Sequence, residues 1–309
     1  MVSGTKIAQE INSSRSEVWR LIQQLRGLGV DVEGHPATGY QLKSVPDLLL
    51  PEILGPLLRG TLFEHRLHHF YKISSTNTEA MAAAARGAPE GTVFFAEEQT
   101  AGRGRAAHTW DSARSAGIYC SVILRPSLPP SDVLVMALAV ALAVGAAIEQ
   151  VGGMVHVDLK WPNDVLIEGR KVCGILAEMN AEATRVRYIV VGIGINVNQN
   201  GFPGELRDQA TSLRMVTGSE WSRVELAAAL LKSLEREYLQ LGRHADARPS
   251  ILRRFSERSS WVRGKQIRVE EDGAILEGTS AGLDERGFLQ IRTAQGVQKV
   301  LSGTVRAAG

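Results

Sequence analysis

Between Gln99 and Trp110 the sequence reads QTAGRGRAAHTW, so Arg103 and Arg105 alternate with Gly102 and Gly104 directly after the apolar run TVFFAE. A guanidinium is permanently charged and grips phosphate or carboxylate with two parallel hydrogen bonds, which a single lysine cannot do. Glycines leave the backbone free to fold over whatever is gripped. Two further stretches suit the same chemistry. In VHVDLKWPND, Lys160 stands at the end of a strand-like run, Pro162 favours an extended Trp161, and Asn163-Asp164 turns the chain. Taken alone, Lys160 reads as a solvated hairpin lysine. Gly174 in KVCGILAE and the pair Gly192 and Gly194 in VVGIGINV lie inside apolar strand-like runs. Glycines two apart share a strand face, and a bare face marks a barrel corner or the close approach of a backbone or a flat ligand. Together the three features describe a glycine-floored cleft under two arginines and a lysine, suited to joining a carboxylate to a phosphate.

Other motifs fall away. Gly102, Gly104 and Ala107 fit a loose G-x-G-x-x-A dinucleotide pattern, yet the next strand, GIYCSVIL, begins too soon for the helix that pattern must open. GTSAG at residues 278–282 matches a nucleophile elbow, but it sits between two strands and no histidine follows Ser280. His65, His68 and His69 lack neighbouring carboxylate or cysteine ligands, so no metal site is expected from side chains. No G-x-x-x-x-G-K-[ST] occurs, so a nucleotide is not held by a P-loop.

The elements that must position these residues follow from pattern. The chain has 309 residues, 44% hydrophobic and 22% charged, with a formal net charge of +2. That composition fits a folded enzyme with companion domains and excludes a disordered or fibrous class. Near-neutrality confines any polyanion site to a local patch. The two cysteines, Cys120 and Cys173, lie singly in apolar runs, which suits a reducing cytoplasm. The longest apolar run, Val133 to Ile148, is shorter than the roughly 18 residues of a membrane span and reads as a core helix, so no membrane partner is expected.

Residues 5 to 25 read as helix, turn, helix, with Ser14 and Glu17 as a capping box, and VDVEGHPATGYQL follows as a hairpin. SVPDLLLPEILGPLL is a linker passing into a short helix. Strands are expected at TVFFAE, GIYCSVILRP, VHVDLKW, DVLIE, KVCGILAE and RYIVVGIGINV, and helices at about Thr76 to Arg86, Ser131 to Gln150 and Ser222 to Leu241. Hairpin-length connections make the sheet antiparallel or mixed. After Trp261, short runs separated by Asp-Gly, Glu-Arg-Gly and Gln-Gly turns predict a small β-barrel. The domain limits are 1–50, 51–260 and 261–309.

These residues resemble biotin protein ligases of the bifunctional ligase/repressor type over almost the whole chain. The resemblance rests on Gly102-Arg103-Gly104-Arg105 with Trp110, on Lys160 to Asp164 as K-W-P-N-D, on Lys171 to Leu176 as K-x-x-G-I-L, and on Ser75-Thr76-Asn77 with Gln99. It implies an α+β chain: a winged helix-turn-helix, a mixed-sheet domain related to class II aminoacyl-tRNA synthetases, and an SH3-like barrel. It implies ATP, biotin and Mg²⁺, formation of biotinyl-5′-AMP, and transfer to a lysine of a biotin carboxyl carrier protein such as that of acetyl-CoA carboxylase. Ser75, Thr76, Asn77 and Gln99 are then expected to hold the ureido ring, with Arg103, Gly104, Arg105, Lys160 and Gly174 completing the biotin pocket. Arg105, Trp110, Asn163 and Asn196 take the nucleotide. Lys160, Arg105 and Arg103 carry the chemistry, and Asp164 either reaches the metal or shapes its turn. A homodimer formed on adenylate binding is also implied.

Departures accompany the match. Ala106-Ala107 replaces a family glycine two residues after the second arginine, and Gly303-Thr304-Val305-Arg306 stands near the family's G-E-V-S. Only Met1 to Gly4 precede Thr5, so the winged unit is expected without its first helix: either translation starts upstream or the unit is degenerate. Lys6, Arg15, Arg20, Arg26 and Lys43 are balanced by Glu10, Glu17, Asp31, Glu33 and Asp47, a weak footprint for operator DNA. Any DNA contacts fall to Arg15, Ser16, Arg20, Gln23 and Gln24. Two other readings compete: a biotin-sensing DNA-binding regulator without useful ligase activity, and a lipoate ligase, disfavoured because the polar pocket set suits a ureido ring better than a dithiolane.

Overall fold

The computed structural model describes residues 1–27, 30–36, 38–44, 47–105, 108–243, 247–271 and 274–308. They divide into two compact units, Met1–Leu48 and Leu49–Gly309. The Asp272-Gly273 turn, the Val45-Pro46 part of the linker and Ala106-Ala107 of the arginine loop lie outside the described residues.

In the first unit α1 (Gly4–Glu10) starts on Ser3, whose Oγ accepts from the Lys6 amide at 3.2 Å. Helix α2 (Arg15–Gly27) starts on Ser14, whose Oγ accepts from the Glu17 amide at 3.2 Å, the cap read from the sequence. Strands β1 (Asp31–His35) and β2 (Gly39–Ser44) pair antiparallel. Ala8, Val18, Ile22, Val30 and Val32 form the core of this unit. The residues ahead of α1 add an edge to the wing, because Val2 bridges Tyr40. Gly39 makes this approach possible: its φ is +99°, and a Cβ there would lie 2.2 Å from the Val2 carbonyl oxygen.

The second unit runs α3 (Pro51–Leu57), β3 (Leu67–Phe70), α4 (Thr76–Ala85), β4 (Val93–Ala96), β5 (Gly117–Leu124), α5 (Val133–Gly152), β6 (Asp158–Lys160), β7 (Asp164–Ile167), β8 (Arg170–Ala181) and β9 (Val186–Asn196). It continues with α6 (Leu206–Gln209), α7 (Leu213–Thr217), α8 (Arg223–Arg243), α9 (Ala247–Glu257), β10 (Arg263–Glu271), β11 (Ala274–Leu283), β12 (Leu289–Thr293), β13 (Gly296–Val300) and β14 (Thr304–Ala307). Among the described residues seven strands make one sheet in the order β3-β4-β5-β9-β8-β7-β6. Only β3 and β4 pair in parallel, around α4 as crossover, so the sheet is mixed. Strands β10 to β14 form a separate antiparallel sheet in the order β13-β12-β11-β10-β14.

Several sequence expectations change. Strand β3 was not expected, because its alternation is carried by histidines: His68 stacks on Phe94 with ring centroids 4.9 Å apart, while His69 turns to the other face and meets Glu97. Trp161 to Asn163 form a turn with a cis Trp161–Pro162 bond rather than an extended stretch. The rejection of GTSAG as a nucleophile elbow, by contrast, stands: Ser280 lies in β11, where its buried Oγ accepts from the Lys265 amide. Helix α5 with its lead-in, Pro130–Gly152, spans 23 residues and is long and apolar enough to cross a membrane by length and composition, contrary to the shorter sequence estimate. Its surface is spent inside the protein, against the sheet and beneath α8 and α9, as a core helix requires.

A buried polar joint ties these layers together at the end of β4. Glu97 accepts hydrogen bonds from Arg223 Nη1 (2.8 Å), Ser115 Oγ (2.9 Å) and the Leu49 amide (3.1 Å), and His69 Nε2 lies 3.1 Å away. Burial by itself raises the Glu97 carboxyl, but the hydrogen bond from His69, the Arg223 charge and the Leu49 amide prevail and bring it down to about 2. Removing one partner of a buried ion pair leaves the other uncompensated. We therefore expect Glu97→Gln to lower unfolding stability by about 3–5 kcal/mol in denaturant titrations at neutral pH. Because the folded carboxyl is depressed, its contribution is complete above the ordinary glutamate value of about 4.3 and is lost as pH falls from there through about 2. Denaturant midpoints measured across that window should converge for wild type and variant; parallel curves would rule this joint out.

Candidate active site

Helix α4 brings a polar cluster to the end of the sheet. Ser75 caps it, its Oγ accepting from the Thr78 amide, so Thr76 and Asn77 occupy the first turn and all three are buried. The Thr76 amide and Oγ1 donate to Gln99 Oε1 at 2.8 and 3.0 Å. Gln99 Nε2 donates to Ser112 Oγ at 2.9 Å. Ser121 Oγ, with one hydrogen to give, lies 2.8 Å from Thr76 Oγ1 and 2.5 Å from Asn77 Oδ1. A buried amide left unpaired costs about 1–3 kcal/mol, so this edge is held in one arrangement and presents fixed donors and acceptors.

The arginine loop closes as a narrow hairpin beside that cluster. Arg103 bridges Thr109, the Gly104 amide donates to the His108 carbonyl at 2.7 Å, and the Trp110 amide donates to the Gly102 carbonyl at 2.9 Å. The loop lines an open cleft of about 620 Å³ with Leu176 and Glu178 of β8 opposite. The two arginines point to different partners. Arg103 gives both terminal nitrogens to Glu178, at 3.0 and 2.8 Å. Arg105 Nη1 donates to Asn163 Oδ1 at 3.3 Å, and Asn163 Nδ2 in turn donates to the Ile175 carbonyl. Burial lowers the Arg105 guanidinium from its usual value, against the pull of the Asp164 charge.

The glycine floor needs a correction. Its faces are occupied by the protein's own side chains rather than left bare for a ligand. A Cβ at Gly192 would lie 2.1 Å from Asn77 Oδ1; one at Gly194 would lie 2.4 Å from Trp110 Cε2, and one at Gly174 2.8 Å from Trp110 Cζ3. Gly174 and Gly194 are directly opposed across β8 and β9, so one flat indole covers both. Trp110 Nε1 is buried with no hydrogen-bond partner among the described residues. Asn196, buried at the end of β9, donates to the Lys171 carbonyl at 3.5 Å, beside the same floor.

The β6–β7 turn sets Lys160 opposite Asp164, and the β7–β8 pairing sets Asp164 opposite Gly174. Asp164 Oδ1 sits 2.6 Å from Lys171 Nζ, which also lies 5.5 Å from the Trp110 ring centroid. Burial lowers the Lys160 ammonium from its usual value; Asp164 opposes that, while Lys171, Arg306 and Lys265 reinforce it. Lys160 and Lys265 share one ring, lying 4.5 and 3.7 Å from the Trp261 centroid. An anion brought here is met by Lys160, Lys171, Lys265 and Arg306, with the carboxylate of Asp164 among them.

Sequence reasoning missed Glu178, Ser112, Ser121, Lys265, Trp261 and Arg306, and assigned Lys171 no role. Glu178 was within reach of pattern, since it follows Gly174 and Leu176 at strand period on one face of β8. Lys265 and Arg306 come from the distant small sheet and carry no local signal. In the N-terminal unit Arg15, Ser16, Arg20 and Gln24 are exposed on α2, and Gln23 is half-buried. Arg20 is tied to Glu17 at 2.5 Å, Arg26 donates to the Val32 carbonyl, and Trp19, overlooked in the sequence, is 59% exposed.

Comparison with known proteins accords with this geometry. Residues 69–196 match the biotin/lipoate A/B protein ligase family, residues 263–305 the biotin protein ligase C-terminal domain, and residues 1–41 a helix-turn-helix domain. The chain is 38% identical to the bifunctional ligase/repressor BirA of Bacillus subtilis, across 98% of this chain and 93% of that one. It is 37% identical to the biotin–[acetyl-CoA-carboxylase] ligase of Mycobacterium tuberculosis, across 70% of this chain and 79% of that one. The structure of the Aquifex aeolicus biotin protein ligase in complex with biotin and ATP superimposes with a TM-score of 0.69 at 29% identity, covering 79% of this chain and 99% of that one.

The covered floor yields its own test. Gly194→Ala sets a methyl carbon 2.4 Å from Trp110 Cε2 and should expel the indole from its seat. Its N–H resonance, assigned by NMR, is expected to move to a solvent-exposed shift; an unmoved resonance would mean that the ring does not rest there.

Proposed function

This chain belongs to the biotin protein ligase family, and from that membership we propose that it makes biotinyl-5′-AMP from biotin and ATP and transfers the biotinyl group to a lysine of a biotin carboxyl carrier protein. The observation that carries the reading is the convergence of Arg105, Lys160 and Lys171 around Asp164, beside a fully engaged cluster of Ser75, Thr76, Asn77 and Gln99. The polar N–H and C=O edges of a ureido ring suit that cluster of donors and acceptors better than an apolar dithiolane does; this favours biotin over lipoate.

In the first half-reaction an oxygen of the biotin carboxylate attacks the α-phosphorus of ATP, forming an acyl–phosphate bond as pyrophosphate leaves. Negative charge gathers on the α-phosphoryl oxygens, and Lys160, held in a cation-rich, partly desolvated place, is suited to meet it. Arg105 on the loop supplies the second charge, and the closed loop keeps water from the anhydride. In the second half-reaction the uncharged amine of the carrier lysine attacks the acyl carbon and AMP leaves. Lys171, Lys265 and Arg306 are placed to share the polyphosphate charge. Trp110 and Asn196 border the surface proposed for adenine.

Mg²⁺ enters this reading as the counter-ion of ATP. Such a cation is held mostly by substrate phosphates and water with one or two carboxylates, and Asp164, the carboxylate nearest Lys160, is paired with Lys171. Asp164 is better explained as the counter-charge of the cleft than as a metal ligand.

We further propose that the N-terminal unit binds an operator and that the adenylate-loaded protein represses transcription as a homodimer. The exposed Arg15, Ser16, Arg20 and Gln24 of α2 support that reading, and the reducing cytoplasm, which suits the free buried Cys120 and Cys173, is its setting. Acetyl-CoA carboxylase is the carrier favoured by the name of the mycobacterial relative.

Incubation with ATP, biotin and a carrier domain should add one biotinyl group to the carrier by mass; a carrier of unaltered mass would leave only a biotin-sensing regulator. Lys160→Ala is expected to abolish adenylate synthesis, whereas Arg105→Gly should preserve synthesis and let biotinyl-5′-AMP escape. Quantifying the adenylate bound and free by chromatography separates the two, and normal synthesis by the lysine variant would refute its role.

A further inference from the structure

Three oxygen–oxygen contacts run in a row through the pocket read as the ureido site. Asn77 Oδ1 lies 2.5 Å from Ser121 Oγ, Ser121 Oγ lies 2.8 Å from Thr76 Oγ1, and Thr76 Oγ1 lies 3.0 Å from Gln99 Oε1. Each contact needs a hydrogen between its two oxygens, and a hydroxyl has one to give. Ser121 and Thr76 together bring two, so one contact in the row goes without. Neither amide makes up the difference. Gln99 faces the row oxygen-first, because its Oε1 takes the Thr76 amide at 2.8 Å and its Nε2 donates to Ser112. Asn77 is fixed by Glu178 on β8, whose Oε2 accepts from Asn77 Nδ2 at 3.0 Å. A carboxylate only accepts, so a turned-over Asn77 would set oxygen against oxygen there. Gly192 makes room for this arrangement, since a Cβ there would lie 2.1 Å from Asn77 Oδ1. Thr76, Asn77 and Ser121 are all buried, which shuts bulk water out of the row.

We propose that Glu178 is a specificity-determining positioning residue: by fixing the Asn77 amide it leaves the row from Asn77 to Gln99 one hydrogen short, and the unfilled acceptor selects a ligand that brings a ring N–H. Glu178 acts through Asn77 and not on the reacting atoms. With a neutral amide at position 178 the shortfall disappears. Asn77 is then free to turn over and donate to Ser121, Ser121 donates to Thr76, Thr76 donates to Gln99, and every contact is filled from within. A ureido ring supplies the missing hydrogen, whereas a dithiolane has none. The identity of the ligand rests on the ligase reading; the hydrogen count belongs to the protein alone.

The test is a cycle between one side chain and one ligand atom, run on the full chain. Dissociation constants are measured by calorimetry without ATP for biotin and for its two cyclic carbamate analogues, in each of which oxygen replaces one ureido N–H. The wild type should bind at least one analogue about tenfold more weakly than biotin, the scale of one hydrogen bond, and in Glu178→Gln that ratio should shrink to about twofold or less while biotin itself binds more weakly. A glutamate that only supports the fold would weaken biotin and analogue alike. A ratio that survives in Glu178→Gln therefore overturns the assignment, as does a wild type that binds biotin and both analogues equally. Should Glu178→Gln fail to fold, Asn77→Ala replaces it: with the amide gone, two hydroxyl hydrogens serve the two remaining contacts, so the ratio must again narrow, and a preserved ratio overturns the assignment. A wild type that binds no biotin would end the ligase reading, and the side-chain amide resonances of Asn77, assigned by NMR in the unliganded protein, would then decide the hydrogen count. The Nδ2 proton held by the carboxylate should lie downfield in the wild type and move upfield in Glu178→Gln; an unmoved resonance sinks the assignment whatever the ligand.

Discussion

Positive charges confined in a partly dry cleft repel one another, and Asp164 is the carboxylate that lets Lys160, Lys171 and Arg105 share one. Its place is set by strand register rather than by loop conformation: opposite Lys160 across β6 and β7, and opposite Gly174 across β7 and β8. A one-residue slip would turn these side chains to the other face. The three-residue β6 is thereby enough to aim a lysine, because the hairpin behind it is pinned by the Asn163 contacts with Ile175.

That register in turn depends on what lies beneath. The sheet closes over α5, and its far end is fastened by Glu97, which gathers β3, the Leu49 segment, the Ser115 turn and the start of α8 around one carboxylate. Buried charge of this kind contributes specificity of arrangement more than net stability. The polar joint therefore lies behind the strands that carry Asn77's neighbours, while the cleft itself retains open, partly exposed cations.

Much of this was legible in the residues. The capping Ser14, the apolar strand runs of β4, β5, β7, β8 and β9, and the Ser75–Asn77 turn that opens α4 all have local signatures. Less legible were features whose cause is non-local. Glycines at 174, 192 and 194 announced a close approach, but not that Trp110 and Asn77 would be the ones approaching. Histidines disguised β3, since their ring stacking and carboxylate contact appear only once β4 lies alongside. That Arg103 would pair with Glu178 was not legible, because side-chain type says nothing about a counter-ion seventy-five residues away.

The Trp261 ring carries an ammonium from the catalytic sheet and another from β10. Lys160 is thus partly oriented by an indole on the segment that leads into the small C-terminal sheet. Modularity stops at that ring: a remodelling of the segment before β10, however remote in sequence, displaces the wall against which Lys160 rests.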